Sequence, residues 1–317
     1  MSRPGTVRAG AVVGVAAAIA LLPLTLSGYH RSTGAAVAVY FVAIVAFQVV
    51  AGYTGQISVG HGAFMAVGGY TTAILTHDHG WNDLATLPVA AAAGLAAGIV
   101  VGLPALRLRG VYLALTTFAA ALAVPQVAKN YSGLTGGSEG LSLPSHSGLW
   151  LYEVAWAVAG ATLVIAWLLL RGRTGRAFRA IRDSEVAAAV SGVSPAFHKT
   201  AAFAVSAAMA AVAGSLFVLV NTFVSPDVFG LQLSLYVLIG AVVSGLGSLS
   251  GVLAGAVFVE LLPVGLTTSG LTSSQAVPVV FGAVVIAVAA LLPRGAAEPL
   301  RSLLRLGAPR SQHHADP

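Results

Sequence analysis

Long stretches without a charged residue are the feature that most constrains this chain. They occupy residues 9–30, 32–77, 84–106, 110–128, 154–170, 200–226, 228–259 and 261–293. Most of them reach the roughly 20 residues that an α-helix needs to cross the hydrocarbon core of a bilayer. Only 8% of the residues are charged, against roughly 25% in a soluble domain. The pattern predicts an all-α, polytopic integral membrane protein built as a helical bundle.

The number of spans depends on how the two longest stretches are divided. The window 32–77 is long enough for two crossings, and 228–263 holds two if the Gly/Ser-rich run at 244–251 is a turn. This division predicts about ten transmembrane helices in a single domain over residues 1–317. Their approximate bounds are 9–27, 33–52, 58–76, 84–106, 111–128, 152–170, 200–222, 231–246, 249–263 and 275–293. The helix at 84–106 carries a glycine at every fourth position from Gly94 to Gly102, a pattern typical of close helix packing.

The distribution of charge predicts which helix ends face the cytoplasm. Cytoplasmic loops of membrane proteins carry an excess of Lys and Arg. Residues 171–199, hereafter the basic segment, contain five arginines and one lysine. With ten spans and the N-terminus inside, the basic segment and the tail at 295–317 both lie in the cytoplasm, and only Arg31 and Lys129 among the basic residues lie outside. We therefore expect both termini to be cytoplasmic. We attribute the net charge of +6 to membrane edges and anionic lipid rather than to nucleic acid.

Two glycine-rich segments interrupt the apolar pattern. Residues 52–69 and 240–255 carry polar side chains within windows otherwise long enough to span the membrane. Irregular polar backbone at this depth is tolerated only where protein or a water-filled cavity satisfies it. Paired interruptions in corresponding places indicate a transport pathway and an inverted repeat of two five-helix halves. The candidate pathway residues are Thr54, Gln56, Ser58, His61, Ser244 and Ser248.

Ionisable residues near these segments have more than one interpretation. His61 either lines the pathway or binds neighbouring broken backbone as a structural residue, and the sequence favours neither. Glu260, near the outer end of its span, is expected to reach the interface or pair locally rather than relay protons. An outer loop carries His77, Asp78, His79 and Asp83. Because histidines two residues apart do not share a helical face, we predict a solvated turn and no metal site there.

Several blocks of sequence resemble one family. They are GYTGQISVGHGAFMAVGGYTTAIL at 52–75, LPALRLRGVYLALTTFA at 103–119, LTGGSEGL at 134–141, GRAFRAIRDSEVAAAVSG at 175–192, FAVSAAMAAVAGSLF at 203–217 and SPDVFGLQLSLYVLIGAVVSGLGSLSG at 225–251. In these blocks and in their order, the chain resembles the inner-membrane permease of branched-chain amino acid ABC importers, of the LivM type. Relatives that import urea or other small amides share similar blocks, so the resemblance is specific to the permease family and less specific to the solute.

The resemblance implies a transport subunit, not an enzyme, in the cell membrane. Its expected partners are a second similar permease, two cytoplasmic ATP-binding subunits, an extracytoplasmic solute-binding protein and membrane lipid. The residues support the same division of labour because the chain contains no G-x-x-x-x-G-K-[ST] phosphate loop. We therefore expect no cofactor in this chain, with ATP held by the partner subunits.

The basic segment is the predicted contact with the ATP-binding subunits. A single helix from Arg176 to Val190 would place three arginines on one strip, beside Phe178 and Ile181 as apolar contacts. The run that begins at Glu185 resembles the EAA-and-glycine motif by which importer permeases dock their ATPases. The candidate coupling residues are Arg176, Arg179, Arg182, Asp183, Glu185, Ala188 and Gly192. The alternative is a basic helix that lies on the lipid surface.

Import of leucine, isoleucine and valine is the leading functional prediction, with two alternatives. One is an ABC permease for urea, another small amide or another amino acid. The other is a secondary transporter driven by protons or sodium, in which His61 or Glu260 would take part in coupling. An intramembrane enzyme is disfavoured because the chain has no H-E-x-x-H or nucleophile-elbow pattern. Because the pathway carries no buried fixed charge, we expect selectivity to reside chiefly in the binding protein.

Overall fold

Helices account for most of the part of the chain that the computed structural model describes, which is residues 28–105, 111–268 and 277–291. The predicted span at 9–27 and the tail at 295–317 lie outside these residues. The helices are α1 (Gly28–Phe47), α2 (His61–His79), α3 (Asp83–Ala105), α4 (Val111–Asn130), α5 (Ser132–Thr135), α6 (Gly148–Arg171), α7 (Arg173–Asp183), α8 (Glu185–Val190), α9 (Pro195–Asn221), α10 (Leu231–Ser244), α11 (Val252–Thr268) and α12 (Val277–Leu291). A wider π-helical turn over Gln48–Gly52 continues α1, and a 3₁₀ turn covers Pro226–Phe229.

The predicted class is confirmed, and the finer count stays a prediction. Within the described residues, six helical stretches are long and apolar enough to cross a membrane. They are Gly28–Gly52, Asp83–Pro104, Tyr112–Asn130, Gly148–Arg171, Pro195–Asn221 and Pro226–Ser244. The chain is thus an all-α, multi-span protein. The figure of ten spans and the inverted repeat of two five-helix halves remain predictions.

Serine caps explain where three of the helices begin. Ser147 accepts a hydrogen bond from the Trp150 N–H at the start of α6, and Ser184 and Ser194 do the same at the starts of α8 and α9. A capping oxygen satisfies one of the four backbone N–H groups that have no partner in the first turn of a helix. In α9 the cap is followed by Pro195, whose fixed φ suits the first helical position.

The central helix of the bundle is α1. Every residue from Val37 to Val50 is buried, on all sides of the helix. Helices α6, α9, α10 and α11 pack around it. A helix that is apolar on all sides suits either a protein interior or lipid. In α1 the neighbouring helices, rather than lipid, cover this part of the surface.

Helix α9 crosses α2 and α3 at small residues. Gly94 and Gly98 of α3 lie against Ala207 of α9, with no room for a side chain. Gly68 of α2 lies against the backbone of Ala211. The predicted packing role of the α3 glycines is confirmed, because small residues let helix backbones approach closely where lipid offers no hydrophobic driving force.

Apolar side chains on α3, α4 and α6 face outward. Leu103 and Val100 of α3, Leu115 of α4 and Leu168 of α6 are all more than half exposed. An outward apolar surface on long helices is what a bilayer or a second membrane subunit requires. The interior of the bundle is formed by α1, α2 and α9.

Short loops and ion pairs close the end of the bundle opposite the basic segment. The strands β1 (Leu141–Ser142) and β2 (Phe223–Val224) pair antiparallel there. Asp83 accepts from His146 at 2.9 Å, and Lys129 binds Asp227 at 2.6 Å. On the same end, His77 bonds Asp78 at 2.7 Å. Among the described residues, no three His, Asp or Glu side chains are grouped as metal ligands.

Candidate functional site

Both glycine-rich interruptions and the basic segment lie together at one end of the bundle. We call residues 52–60, between α1 and α2, the first break, and residues 245–251, between α10 and α11, the second break. A Cβ atom added to Gly52 would lie 2.6 Å from the backbone nitrogen of Gly247. Two chain segments nearly 200 residues apart therefore meet backbone to backbone.

Gln48 joins the two breaks. Its side chain is fully buried in the π-helical turn, and its amide nitrogen donates to Ser244 Oγ at 3.0 Å and to the carbonyl of Gly245 at 3.1 Å. Its amide oxygen accepts from the Gly247 N–H at 2.8 Å. We call Gln48, Gly52, Gly245 and Gly247 the junction. A single side chain there satisfies backbone groups at the end of α10 that helix hydrogen bonding leaves open.

Gln48→Leu is expected to destabilise the protein by about 2–3 kcal/mol, because it leaves the Gly245 carbonyl and the Gly247 N–H without hydrogen-bond partners and changes the side-chain volume little. Thermal unfolding in detergent, followed by circular dichroism, measures the loss of stability. Ser244→Ala removes only the hydroxyl group beside Gln48 and is expected to cost about 1 kcal/mol. Equal unfolding midpoints for the wild type and Gln48→Leu would show that the junction does not hold the helices together.

The polar residues of the first break bond within the chain. Thr54 Oγ1 donates to the carbonyl of Val50 at 2.5 Å and accepts from Gln56 Nε2 at 2.8 Å. Ser58 is fully buried and accepts from the Gly60 N–H at 3.4 Å. The break is therefore ordered by its own side chains, which replace the helical hydrogen bonds that its glycines interrupt.

His61 ties α2 to α9 and α1. Its Nε2 atom lies 3.0 Å from Ser206 Oγ, and the Ser206 hydroxyl donates to the carbonyl of Ala46 at 2.6 Å. Because Ser206 has one proton and gives it to Ala46, His61 Nε2 must carry the hydrogen. The ring centroid lies 4.8 Å from that of Phe47, and the buried Nδ1 atom has no hydrogen-bond partner among the residues that the structure describes.

The structure divides the predicted pathway residues into two connected groups. Thr54, Gln56 and Ser58 belong to the first break, and His61 follows it directly as the first residue of α2. Ser248 belongs to the second break, and Ser244, which bonds Gln48, is the last residue of α10 just before it. The junction connects the two groups.

The basic segment folds into two short helices rather than one. The predicted single helix from Arg176 to Val190 is wrong, because the chain leaves helical geometry at Ser184, which ends α7 and caps α8. Phe178 and Ile181, predicted as contacts for a partner, are instead buried within this chain. Their faces hold α7 against α6 and α9.

The candidate coupling residues have three different environments. Arg176, Arg179 and Asp183 are exposed. Glu185 forms an ion pair with Lys199 at 2.7 Å, which holds α8 to the start of α9. Arg182 is also exposed, but its Nη1 atom donates to the carbonyl of Gly52 at 2.6 Å.

The end of α8 shows why Ala188 and Gly192 occupy their positions. Ala188 is buried, and Gly192 has a φ of +82°, which favours glycine. Exposed apolar side chains surround this turn: Val186 is 73% exposed, Val190 86% and Phe197 69%. These three side chains are apolar groups largely open to the surroundings on an otherwise polar segment.

The sequence matches the family described as the branched-chain amino acid transport system / permease component over residues 31–289. The chain belongs to this permease family. It is 34% identical to the high-affinity branched-chain amino acid transport system permease protein LivM of Salmonella typhimurium over 251 residues, which cover 69% of this chain and 59% of the relative. LivM of Escherichia coli gives the same figures. LivH of Escherichia coli, a permease protein of the same transport system, is 25% identical over 284 residues, which cover 81% of this chain and 90% of LivH.

The match to LivM is partial in length. The chain spans 59% of the length of these LivM relatives. No solved structure matches the sequence. Membership of this permease family, together with the six long apolar helices of the described residues, indicates a multi-pass membrane protein.

Two contacts of this permease-family chain are absent from the sequence-based predictions. The first is that of Gln48, the one amide side chain in an otherwise apolar run, where a polar group was a readable signal. The second is the bond of Arg182, a predicted coupling residue, to the Gly52 carbonyl, which has no sequence signal because the partner is a backbone atom of a distant glycine.

Proposed function

We propose that this chain is the membrane-spanning permease subunit of an ATP-driven ABC importer. It translocates leucine, isoleucine and valine that an extracytoplasmic binding protein delivers. Two separate cytoplasmic subunits bind and hydrolyse ATP. The family match and the names of the LivM relatives support this substrate class.

The arrangement of the basic segment is the observation that carries this proposal. Its exposed side chains lie at the same end of the bundle as both breaks. A cytoplasmic subunit that binds there would act directly on the segments where helices α1 and α10 end. We place this end in the cytoplasm, with both termini on the same side.

A second permease subunit completes the proposed pathway. The similarity to both LivM and LivH supports a pair of related permeases. The outward apolar faces of α3, α4 and α6 offer surface for that partner and for lipid. ATP-binding subunits and the solute-binding protein complete the assembly.

The exposed residues of the basic segment form the proposed docking surface for the ATP-binding subunits. Arg176, Arg179 and Asp183 supply charge, and Val190 and Phe197 supply apolar contact. Glu185, Ala188 and Gly192 act indirectly, because they fix the shape of α8. Such a combination of arginine and large apolar groups is typical of the residues that dominate protein interfaces.

The pathway itself is proposed to pass beside the two breaks. Thr54, Gln56 and Ser58 of the first break, with His61, face Ser244 and Ser248 across the junction in this proposal. Their hydrogen bonds within the chain support a closed state. Opening would require them to exchange these partners for others, because a buried polar group left unpaired is costly.

Uptake by the complete assembly in proteoliposomes tests the proposal. We expect radiolabelled leucine to accumulate only with ATP at the cytoplasmic face and with the binding protein outside, at least about tenfold above ATP-free vesicles. A protonophore or removal of sodium is expected to change nothing. Uptake driven by a proton or sodium gradient without ATP contradicts the proposal, and transport of urea in place of leucine contradicts the substrate class.

A further inference from the structure

Arg182 contacts both breaks with one side chain. Its guanidinium donates to the Gly52 carbonyl at 2.6 Å. A Cβ atom on Gly247 would lie 2.7 Å from its Nη1 atom, and one on Gly55 would lie 3.3 Å from its Cγ atom. The arginine therefore occupies space that a side chain at Gly247 would overlap and one at Gly55 would crowd.

The carbonyl that Arg182 binds is one that the helix leaves open. At the end of α1, the Val50 and Ala51 carbonyls accept from the backbone N–H groups of Gln56 and Gly55. The Gly52 carbonyl accepts from Arg182. The C-terminal end of a helix carries partial negative charge, so a cation there is favoured by its charge and by its hydrogen bond.

Helical geometry separates Arg182 from the other arginines of α7. Residues three apart are about 60° apart around a helix, so Arg176 and Arg182 are separated by about 120°. Arg173, Arg176, Arg179 and Arg182 of α7 all have exposed side chains. Among these four, Arg182 is the one whose guanidinium hydrogen-bonds a backbone carbonyl of the first break.

We propose that Arg182 is a positioning residue that locks α7 to both glycine breaks. The proposal rests on the proposed function, in which an ATP-binding subunit moves the basic segment. The lock passes that movement to the ends of α1 and α10. Gln48 already joins those two ends, so a shift of α7 displaces the junction as one unit. Apart from the hydrogen bond of Arg182, α7 packs against α6 and α9, and its Phe178 and Ile181 side chains are buried.

The first measurement is the coupling ratio, which is the number of solute molecules imported per ATP hydrolysed by the reconstituted importer. Arg182→Gln is expected to lower this ratio roughly tenfold, the factor expected from losing one charge-assisted hydrogen bond. The ATP-binding subunits are expected to co-purify as with the wild type. Arg182→Lys keeps a cationic donor and is expected to recover most of the ratio. Arg173→Gln, the same change of charge at the exposed start of α7, is the matched control and is expected to behave as the wild type.

The distance between α8 and the second break is the second measurement. The chain has no cysteine, so spin labels can be placed at Val186→Cys and Leu246→Cys, both exposed positions. In the otherwise unaltered assembly we expect one narrow distance distribution that shifts by less than about 2 Å when nucleotide binds. In Arg182→Gln we expect a broad distribution.

Two outcomes overturn the lock. One is an Arg182→Gln variant with the coupling ratio and narrow distribution of the wild type. The other is a shift of about 5 Å or more, one helical turn, between the labels when nucleotide binds to the assembly with Arg182 intact. The label distance in the assembly with Arg182 intact tests the lock even if the Arg182→Gln variant does not reach the membrane. Absence of ATP-driven uptake in the wild type rejects the proposed function instead, and the broadening caused by Arg182→Gln at rest still tests the lock.

Discussion

Gly68→Ala is expected to destabilise this membrane bundle by about 3 kcal/mol, and Gly68→Leu is expected to prevent folding. At Gly68 the Cβ atom would collide with the backbone of Ala211 on α9. Gly214 makes the reciprocal contact with the backbone of Met65 on α2. Backbone cannot rotate away as a flexible side chain can, so the helices must separate. Separation would also break the hydrogen bond from Ser215 to the Gly68 carbonyl.

Helix propensity alone predicts that Gly68→Ala stabilises the protein, which is the opposite of the effect expected from the steric collision. Replacing glycine by alanine inside a helix gains about 1 kcal/mol where nothing obstructs the new methyl group. Gly160 of α6 is helical, exposed and has open space around its Cβ position. Gly160→Ala is therefore the matched control and is expected to leave the unfolding temperature unchanged or raised. A Gly68→Ala protein as stable as the wild type in the same detergent would show that α2 and α9 do not cross in backbone contact.

The positions of the helices were predictable from the sequence. In hydrocarbon, the backbone must satisfy its own hydrogen bonds, so an uncharged window of sufficient length has little choice but to form a helix. The glycine spacing on α3 was equally readable, and Gly94 and Gly98 do pack against α9. The helix positions and the glycine contacts follow from local composition and from the lipid that surrounds the helices.

The end of α7 and the start of α8 within the basic segment have a signal in the sequence that the prediction of a single helix did not use. Ser184 followed directly by Glu185 is a helix start signal, with a capping hydroxyl and an acidic first turn. The arginine spacing suggested one continuous strip instead. The structure shows two helices, so the apolar residues at 178 and 181 serve the bundle and those at 190 and 197 face outward.

The tertiary partners of the breaks could not have been predicted. Gln48 and Arg182 bind backbone atoms of residues that lie 130 to 199 positions away. Backbone groups have no residue-specific signature in a sequence. The glycines of the two breaks indicated that other backbone or side-chain groups approach closely there. Only the fold shows that the two breaks approach each other and the basic segment.

The double variant Val190→Asp/Phe197→Asp is expected to abolish co-purification of the ATP-binding subunits with this permease. Both side chains are largely exposed, Val190 by 86% and Phe197 by 69%, so their loss should change the stability of the chain itself by less than about 0.5 kcal/mol each. In a docked assembly they would be buried. Truncating a central apolar interface residue costs about 2–4 kcal/mol, so the pair is expected to weaken docking at least about a thousandfold.

The matched variant Val190→Leu/Phe197→Leu separates hydrophobicity from general disturbance of this turn. It keeps apolar contact at both positions and is expected to retain the ATP-binding subunits and most ATP-driven uptake, since volume-conserving apolar changes are tolerated best. Full co-purification with the double aspartate variant would place the docking surface elsewhere. Because the exposed groups of the segment also include arginines such as Arg176 and Arg179, weaker binding to anionic vesicles without loss of those subunits would favour the lipid-surface alternative. The two interpretations of the basic segment thus predict opposite results for the same pair of side chains.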